Sequence, residues 1–341
     1  MNVRALVAFW DGNSESGADI ISQVREESGG KATFYNVCNY QCSYCISGQG
    51  DPSDPRPQAK WDGSNCLPIV AAMTRLPFLL NVRIGVDSEF FTSPLLIDGA
   101  RRLSQSVNVA GVNLITNLSF PAERYRGWFA DFDRSKVALV ASFHLTEVRD
   151  KRFWLETALA LALEADLSIC MVAHPERLED LSRFVPAFRA QGPTVFVQPF
   201  IGVYGGHSYP EAYSDHEREF LRPYFYSRHD WEFLLMGKRP GLCNAGFSSI
   251  YVDMTGEARI CGMKIDGPLP VGNLLTGEPL RLYEGPRPCT AASCRCDTEN
   301  INTVQFSQFY ELTGLNQHRY RYRFARLAAD QPCLDEWRVE Y

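Results

Sequence analysis

The chain has no apolar run near the ~20 residues that a bilayer-spanning helix needs, so no membrane span is expected in its 341 residues. An export signal is also missing. Residues 1–10 hold one Arg and a short apolar stretch, and Trp10-Asp11-Gly12 stands where a small-residue cleavage site would have to be. The expected location is therefore the cytoplasm. Positive charge is not in excess. Against 40 Asp and Glu there are 34 Lys and Arg, and the net charge of −6 argues against a nucleic-acid partner. Repeats and low-complexity tracts are absent as well. With 45% hydrophobic residues the chain can bury a substantial core, and its length suits about two domains.

Cysteine is plentiful, with 11 in the chain. Disulfides are disfavoured in a reducing compartment, so clustered cysteines read first as metal ligands. Eight fall in two groups, Cys38/Cys42/Cys45 and Cys243/Cys261/Cys289/Cys294/Cys296, while Cys66, Cys170 and Cys333 stand apart. Cys170 lies in the apolar run 167–172 and reads as a buried core thiol. The first group forms the run Cys38-Asn39-Tyr40-Gln41-Cys42-Ser43-Tyr44-Cys45. Three thiolates this close suit three irons of a [4Fe–4S] cube and leave the fourth iron open. A structural zinc site would want a fourth ligand nearby. The next cysteine, Cys66, comes only after a Pro- and Asp-rich loop over 47–65, which reads as a lid or an insertion.

Short, β-branched apolar runs predict strands over 31–37, 79–86, 111–116, 136–142, 167–172 and 194–197. Helical patterns lie between them, over 67–75, 94–104, 121–131, 151–165 and 178–190. A sixth helix opens at Ser214, with Glu217 completing a capping box. This alternation predicts an α/β fold, a partial (β/α)6 TIM-like barrel spanning 31–238 behind an N-terminal extension over 1–30. Functional residues in such folds sit on loops after the strands' C-terminal ends, and Cys38 would follow the first strand directly. Past residue 240 the pattern changes. Two short strands around Met254-Thr255-Gly256 read as a hairpin, and Gly, Pro and Cys become dense. A small metal-stapled domain over 239–300 and a helical tail over 301–341 are expected. The run His318-Arg319-Tyr320-Arg321-Tyr322-Arg323 in that tail reads as a solvated helix face.

The Cys-x3-Cys-x2-Cys spacing after the first strand of a βα repeat resembles the radical S-adenosylmethionine (radical SAM) superfamily, with Tyr44 at the aromatic position near the adenine. The resemblance implies that the open iron binds SAM and that reductive cleavage yields a 5′-deoxyadenosyl radical, which takes a hydrogen atom from a substrate. It also implies cofactor contacts. Val86-Asp87-Ser88-Glu89 stands where the family has Gly-Gly-Glu-Pro, so Glu89 keeps the acid while both glycines are lost. Thr116-Asn117-Leu118 resembles Thr-Asn-Gly, with Leu in place of Gly, and Ser142 matches a polar contact to SAM. Each of these also fits an ordinary strand-end turn residue. His144 and Gln198 are candidate substrate contacts at the barrel mouth, against the alternatives of a hydrogen-bonded structural histidine and a satisfied strand-end amide.

Cys243, Gly256 and Cys261 resemble the opening of the SPASM/twitch extension of these enzymes. The resemblance implies one auxiliary [4Fe–4S] cluster on Cys243 and Cys261, completed by two of Cys289, Cys294 and Cys296. A zinc staple is the alternative. The implied partners are a flavodoxin- or ferredoxin-type reductant and a substrate that is oxidised or rearranged. Only 37 residues precede Cys38, which favours a small molecule over a ribosomally made peptide carried by a leader-binding domain. From another class, an iron–sulfur electron carrier without enzyme activity would need fully ligated clusters.

Overall fold

A computed structural model describes residues 5–11, 38–40, 42, 44, 64–85, 89–224, 235, 245–247, 249–260, 270–285 and 287–288. Its centre is a run of six parallel strands: β1 (Ala5–Asp11), β2 (Leu79–Gly85), β3 (Val109–Thr116), β4 (Val137–Ser142), β5 (Asp166–Ala173) and β6 (Thr194–Pro199). The crossovers carry helices α1 (Cys66–Met73), α2 (Pro94–Gln105), α3 (Ala122–Trp128), α4 (Lys151–Ala162) and α5 (Leu178–Ala190). After β6 come a small hairpin, β7 (Gly202–Tyr204) with β8 (His207–Tyr209), and α6 (Asp215–Leu221). The capping box at Ser214 and Glu217 is formed as the spacing predicts.

The strands are buried on both faces, as parallel strands must be. On one face Leu80, Val82, Ile84, Leu114, Leu139, Ile169 and Val197 join the main core beneath the helices. On the other, Val140, Cys170 and Phe196 form a separate small cluster with Ile115 against it. Cys170 is thus buried, as its apolar setting suggests. Among the described residues no helix is long and apolar enough to cross a membrane.

Two features depart from the sequence pattern. Position one of the parallel run, beside β2, is filled by Ala5–Asp11, a segment expected to lie outside the barrel. The expected first strand at 31–37 lies outside the described residues, so 26 residues, 12–37, separate the described first strand from Cys38. Periodicity cannot rank two short apolar segments for one sheet position, because pairing with β2 is a tertiary choice. The second departure is continuity. Strand β9 (Ser249–Val252) pairs parallel to β1, and β10 (Glu257–Arg259) and β11 (Pro270–Asn273) extend the sheet to nine strands. The predicted hairpin therefore continues the barrel sheet. Its turn closes with Gly256 N–H donating to the Asp253 carbonyl at 3.0 Å. Gly256 has φ +80, and a Cβ there would sit 2.6 Å from Leu275 Cγ.

Candidate functional site at the C-terminal rim of the sheet

Strands β2 to β5 end in segments that converge on the cysteine loop. After β2, Glu89 caps a short turn, Phe90–Thr92, and is buried. Its Oε1 accepts from Thr116 Oγ at 2.7 Å and from Phe91 N at 3.3 Å, and its Oε2 accepts from Asn117 N at 2.6 Å. The carboxylate thus ties the end of β2 to the end of β3. Burial pushes its pKa up to about 7, against the opposing pull of those three donors. Asn117 is held at every polar atom: Trp154 Nε1 donates to its carbonyl at 2.8 Å, and Ser119 N donates to its Oδ1 at 3.0 Å. Leu118, where the related pattern has glycine, is buried and has φ +51. That left-handed turn explains why glycine suits the position, and Leu holds it at a cost of about 1 kcal/mol.

The cysteine loop seats on this rim. Cys38 is half-buried and Cys42 buried, and the four described cysteines are thiols without a disulfide. Cys45 lies outside the described residues. Asn39 Oδ1 accepts from Asn117 Nδ2 at 2.8 Å, and Asn39 Nδ2 donates to Ser119 Oγ at 2.7 Å. From the far side, His144 Nδ1, just after β4, lies 3.4 Å from Cys42 Sγ and 3.2 Å from Tyr44 Oη. Burial pushes His144 down to about 4, so the ring is neutral near pH 7. Tyr40 packs edge-on to the same ring at 5.8 Å, and burial, then the charge of Glu89, raises its phenol to about 12. After β5, His174 is buried against Tyr44 at 5.2 Å and Tyr204 at 4.5 Å.

Of the residues predicted from sequence, Cys42, Tyr44 and His144 meet on one side and Glu89 and Asn117 on the other, joined through the loop by Asn39, which follows Cys38. Ser142 ends β4 in register with Cys170, on the face of the small cluster. Gln198 lies on β6, where its Oε1 accepts from Cys170 Sγ at 3.5 Å. His144 and Gln198 thus have protein partners, and His144 serves the cysteine loop rather than standing apart from it. Asn39, Ser119 and His174 are additions from the structure. The available signal for His174 was its place after β5, matching that of His144 after β4. Among the described residues no group of three His, Cys, Asp or Glu could hold a metal. The donor chemistry does fit an iron–sulfur cluster: two thiols on one loop, one of them faced by an imidazole nitrogen able to donate to a thiolate.

The second cysteine group, Cys243, Cys261, Cys289, Cys294 and Cys296, lies outside the described residues, but its flanks are visible. Gly246, three residues after Cys243, has φ +76, and a Cβ there would lie 2.7 Å from Ile260 Cγ2 and 2.9 Å from Tyr283 Cε2. Ile260 immediately precedes Cys261. Tyr283 N donates to the Gly246 carbonyl at 2.8 Å, and its ring carries the Arg287 guanidinium at 3.8 Å, two residues before Cys289.

No family model matches the chain, and no curated protein matches its sequence. Among solved structures it is similar to native anSMEcpe with bound AdoMet and Cp18Cys peptide, at 13% identity and a TM-score of 0.50 over 96% of this chain and 100% of that one. The chain shares the fold of that protein. Similarities to BtrN in complex with AdoMet and 2-DOIA (10% identity, TM-score 0.40, 81% of each chain) and to Streptococcus suis SuiB bound to S-adenosylmethionine (11%, 0.47, 81% of this chain and 64% of that one) are looser. At such identities the likeness is one of fold. In parallel α/β sheets the rim at the strands' C-terminal ends is where loops carry chemistry.

Proposed function

We propose that the protein is a radical SAM enzyme. The observation that supports the proposal is the seating of the cysteine loop on the ends of β3 and β4, through Asn39 on Asn117 and through Cys42 and Tyr44 on His144, with Glu89 after β2 holding Asn117. Cys38, Cys42 and Cys45 would hold a [4Fe–4S] cluster with one iron left for S-adenosylmethionine. When bound, the pair supplies a 5′-deoxyadenosyl radical for hydrogen-atom abstraction. The chain's own part is placement. His144 orients Cys42 and Tyr44 through one nitrogen. Glu89 fixes Asn117 by accepting from its backbone N–H and is the proposed acid at the cofactor site. Ser142 remains the proposed polar contact to SAM, and Gln198 a substrate contact.

We further propose one auxiliary cluster on Cys243, Cys261 and two of Cys289, Cys294 and Cys296. The close packing of Gly246, Ile260 and Tyr283 supports it, because it draws together segments that flank three of these cysteines. A flavodoxin- or ferredoxin-type protein is the proposed reductant. The proposed reaction is oxidation or rearrangement of a small molecule. A peptide substrate is the second reading, favoured by the peptide present in anSMEcpe.

The test is anaerobic reconstitution followed by quantification of 5′-deoxyadenosine with dithionite as reductant. Wild type should form it, and the Cys38→Ala, Cys42→Ala, Cys45→Ala triple variant should not. SAM cleavage that persists in the triple variant would refute the assignment. Iron and zinc analysis of a Cys261→Ala variant separates an auxiliary cluster from a zinc staple.

A further inference from the structure

Asn39 stands one residue after Cys38, and both ends of its amide are engaged away from its own loop. The orientation is fixed by the network. Asn117 Oδ1 accepts Ser119 N at 3.0 Å, so Asn117 must present its Nδ2 to Asn39. Asn39 must then present Oδ1 to Asn117, which leaves its Nδ2 for Ser119 Oγ at 2.7 Å. Flipping Asn39 would set two NH₂ groups against each other, and flipping Asn117 would set two amide oxygens together and its NH₂ against the Ser119 N–H. The receiving side is itself anchored, since Glu89 holds the Asn117 N–H at 2.6 Å and Trp154 holds its carbonyl at 2.8 Å. Between the two receiving residues lies Leu118 at φ +51, the turn that leaves 117 and 119 both in reach of Asn39.

We infer that Asn39 is the positioning residue of the cysteine loop. It docks the loop on the end of β3, and the Asn117 side chain serves as its strut rather than as a direct cofactor contact. The consequence for SAM rests on the radical SAM reading; the docking itself does not. A cavity of about 360 Å³, lined in part by Asn39, Ser119, Glu147 and Asp150, opens beside the seam. Water there competes for these groups, so neither hydrogen bond alone holds the loop firmly, and the two act together.

The experiment uses the full chain without metal. Iodoacetamide labelling of Cys42 is followed by mass spectrometry, with the buried Cys66 and Cys170 as internal references. Asn39→Leu removes both bonds at similar volume and should speed labelling of Cys42 about ten-fold while leaving Cys66 and Cys170 unchanged. Ser119→Ala should give an intermediate rise of about three-fold. Asn39→Asp should stay within about two-fold of wild type, because the carboxylate it introduces can accept from Asn117 Nδ2 and from the Ser119 hydroxyl. An unchanged Cys42 rate in Asn39→Leu overturns the inference, and so does an equal rise at all three cysteines. Should Asn39→Leu fail to fold, Ser119→Ala is read by the same two criteria. In reconstituted protein, Asn39→Leu should raise KM for SAM more than it lowers kcat. Wild type that ignores SAM would remove the functional reading while leaving the labelling result to decide the docking.

Discussion

The two cysteine regions are seated by different physics. At the rim of the barrel the first loop is held by polar side chains: an amide pair, a buried carboxylate and an imidazole. Beside the second group the chain is held by backbone hydrogen bonds and by contact so close that only glycine fits at 246. A polar seat is tunable, since proton uptake or a conservative swap adjusts it in small steps. A steric seat is not, since one methyl group overfills it.

The largest expected effect lies on the steric side. Gly246→Val combines overpacking against Ile260 and Tyr283 with a β-branched residue at φ +76, and should cost roughly 4 kcal/mol. Loss of bound metal at the second group without loss at the first would sharpen the contrast. A melting temperature equal to that of wild type would break it.

Next comes Glu89. Its folded pKa of about 7 lies above the ordinary 4.5, so between those values the folded state binds more protons than the unfolded one. Stability from this group is therefore full below about pH 4.5 and is lost as pH rises through 7, by ~3 kcal/mol. Glu89→Gln can keep the bond from Asn117 N and donate to Thr116 Oγ, at the loss of the bond from Phe91 N. Denaturant titrations at pH 5 and pH 8 should show this fall in wild type and not in Glu89→Gln. Identical pH slopes would show that the polar seat is not proton-sensitive.

Leu118→Gly tests a trade inside the polar seat. Relief of the left-handed strain gains about 1 kcal/mol, but a fully buried Leu is lost and glycine adds chain entropy. Packing should win, for a net destabilisation of about 2 kcal/mol in chemical unfolding. A more stable variant would mean that the strain dominates.

The smallest effect belongs to the β9–β10 turn. Asp253 Oδ1 accepts from Thr255 N at 2.8 Å and from Glu257 N at 3.2 Å, and Oδ2 lies 3.4 Å from Arg259. Asp253→Ala should cost about 1 kcal/mol, because Gly256 still closes the turn. Faster amide exchange confined to 253–259 would support a local role, whereas exchange spread through β1 would show that the extended sheet opens as one unit.

Strands β2 to β6, the β9–β10 hairpin and all six helices were legible, because continuous apolar runs and capping residues are local signals, whereas β7, β8 and β11 are too short to carry one. Leu118 was visible as a departure from glycine, but its φ was not. The pairing of Ala5–Asp11 with β2 was missed because both that segment and 31–37 carry a short apolar pattern, and nothing local chooses between them. Asn39 carries no local signal of its role. Its partners lie 78 and 80 positions away, beyond any pattern of spacing.

By itself the sequence determined the thiol spacing, the strand–helix alternation and the turn at Gly256, all set by residues a few positions apart whose chemistry or backbone freedom acts locally. Tertiary structure alone decided which strand opens the sheet, that the C-terminal hairpin joins it through β1, and that His144 meets Cys42 across 102 positions. Those outcomes depend on which distant groups share a buried surface, and burial is a property of the folded whole.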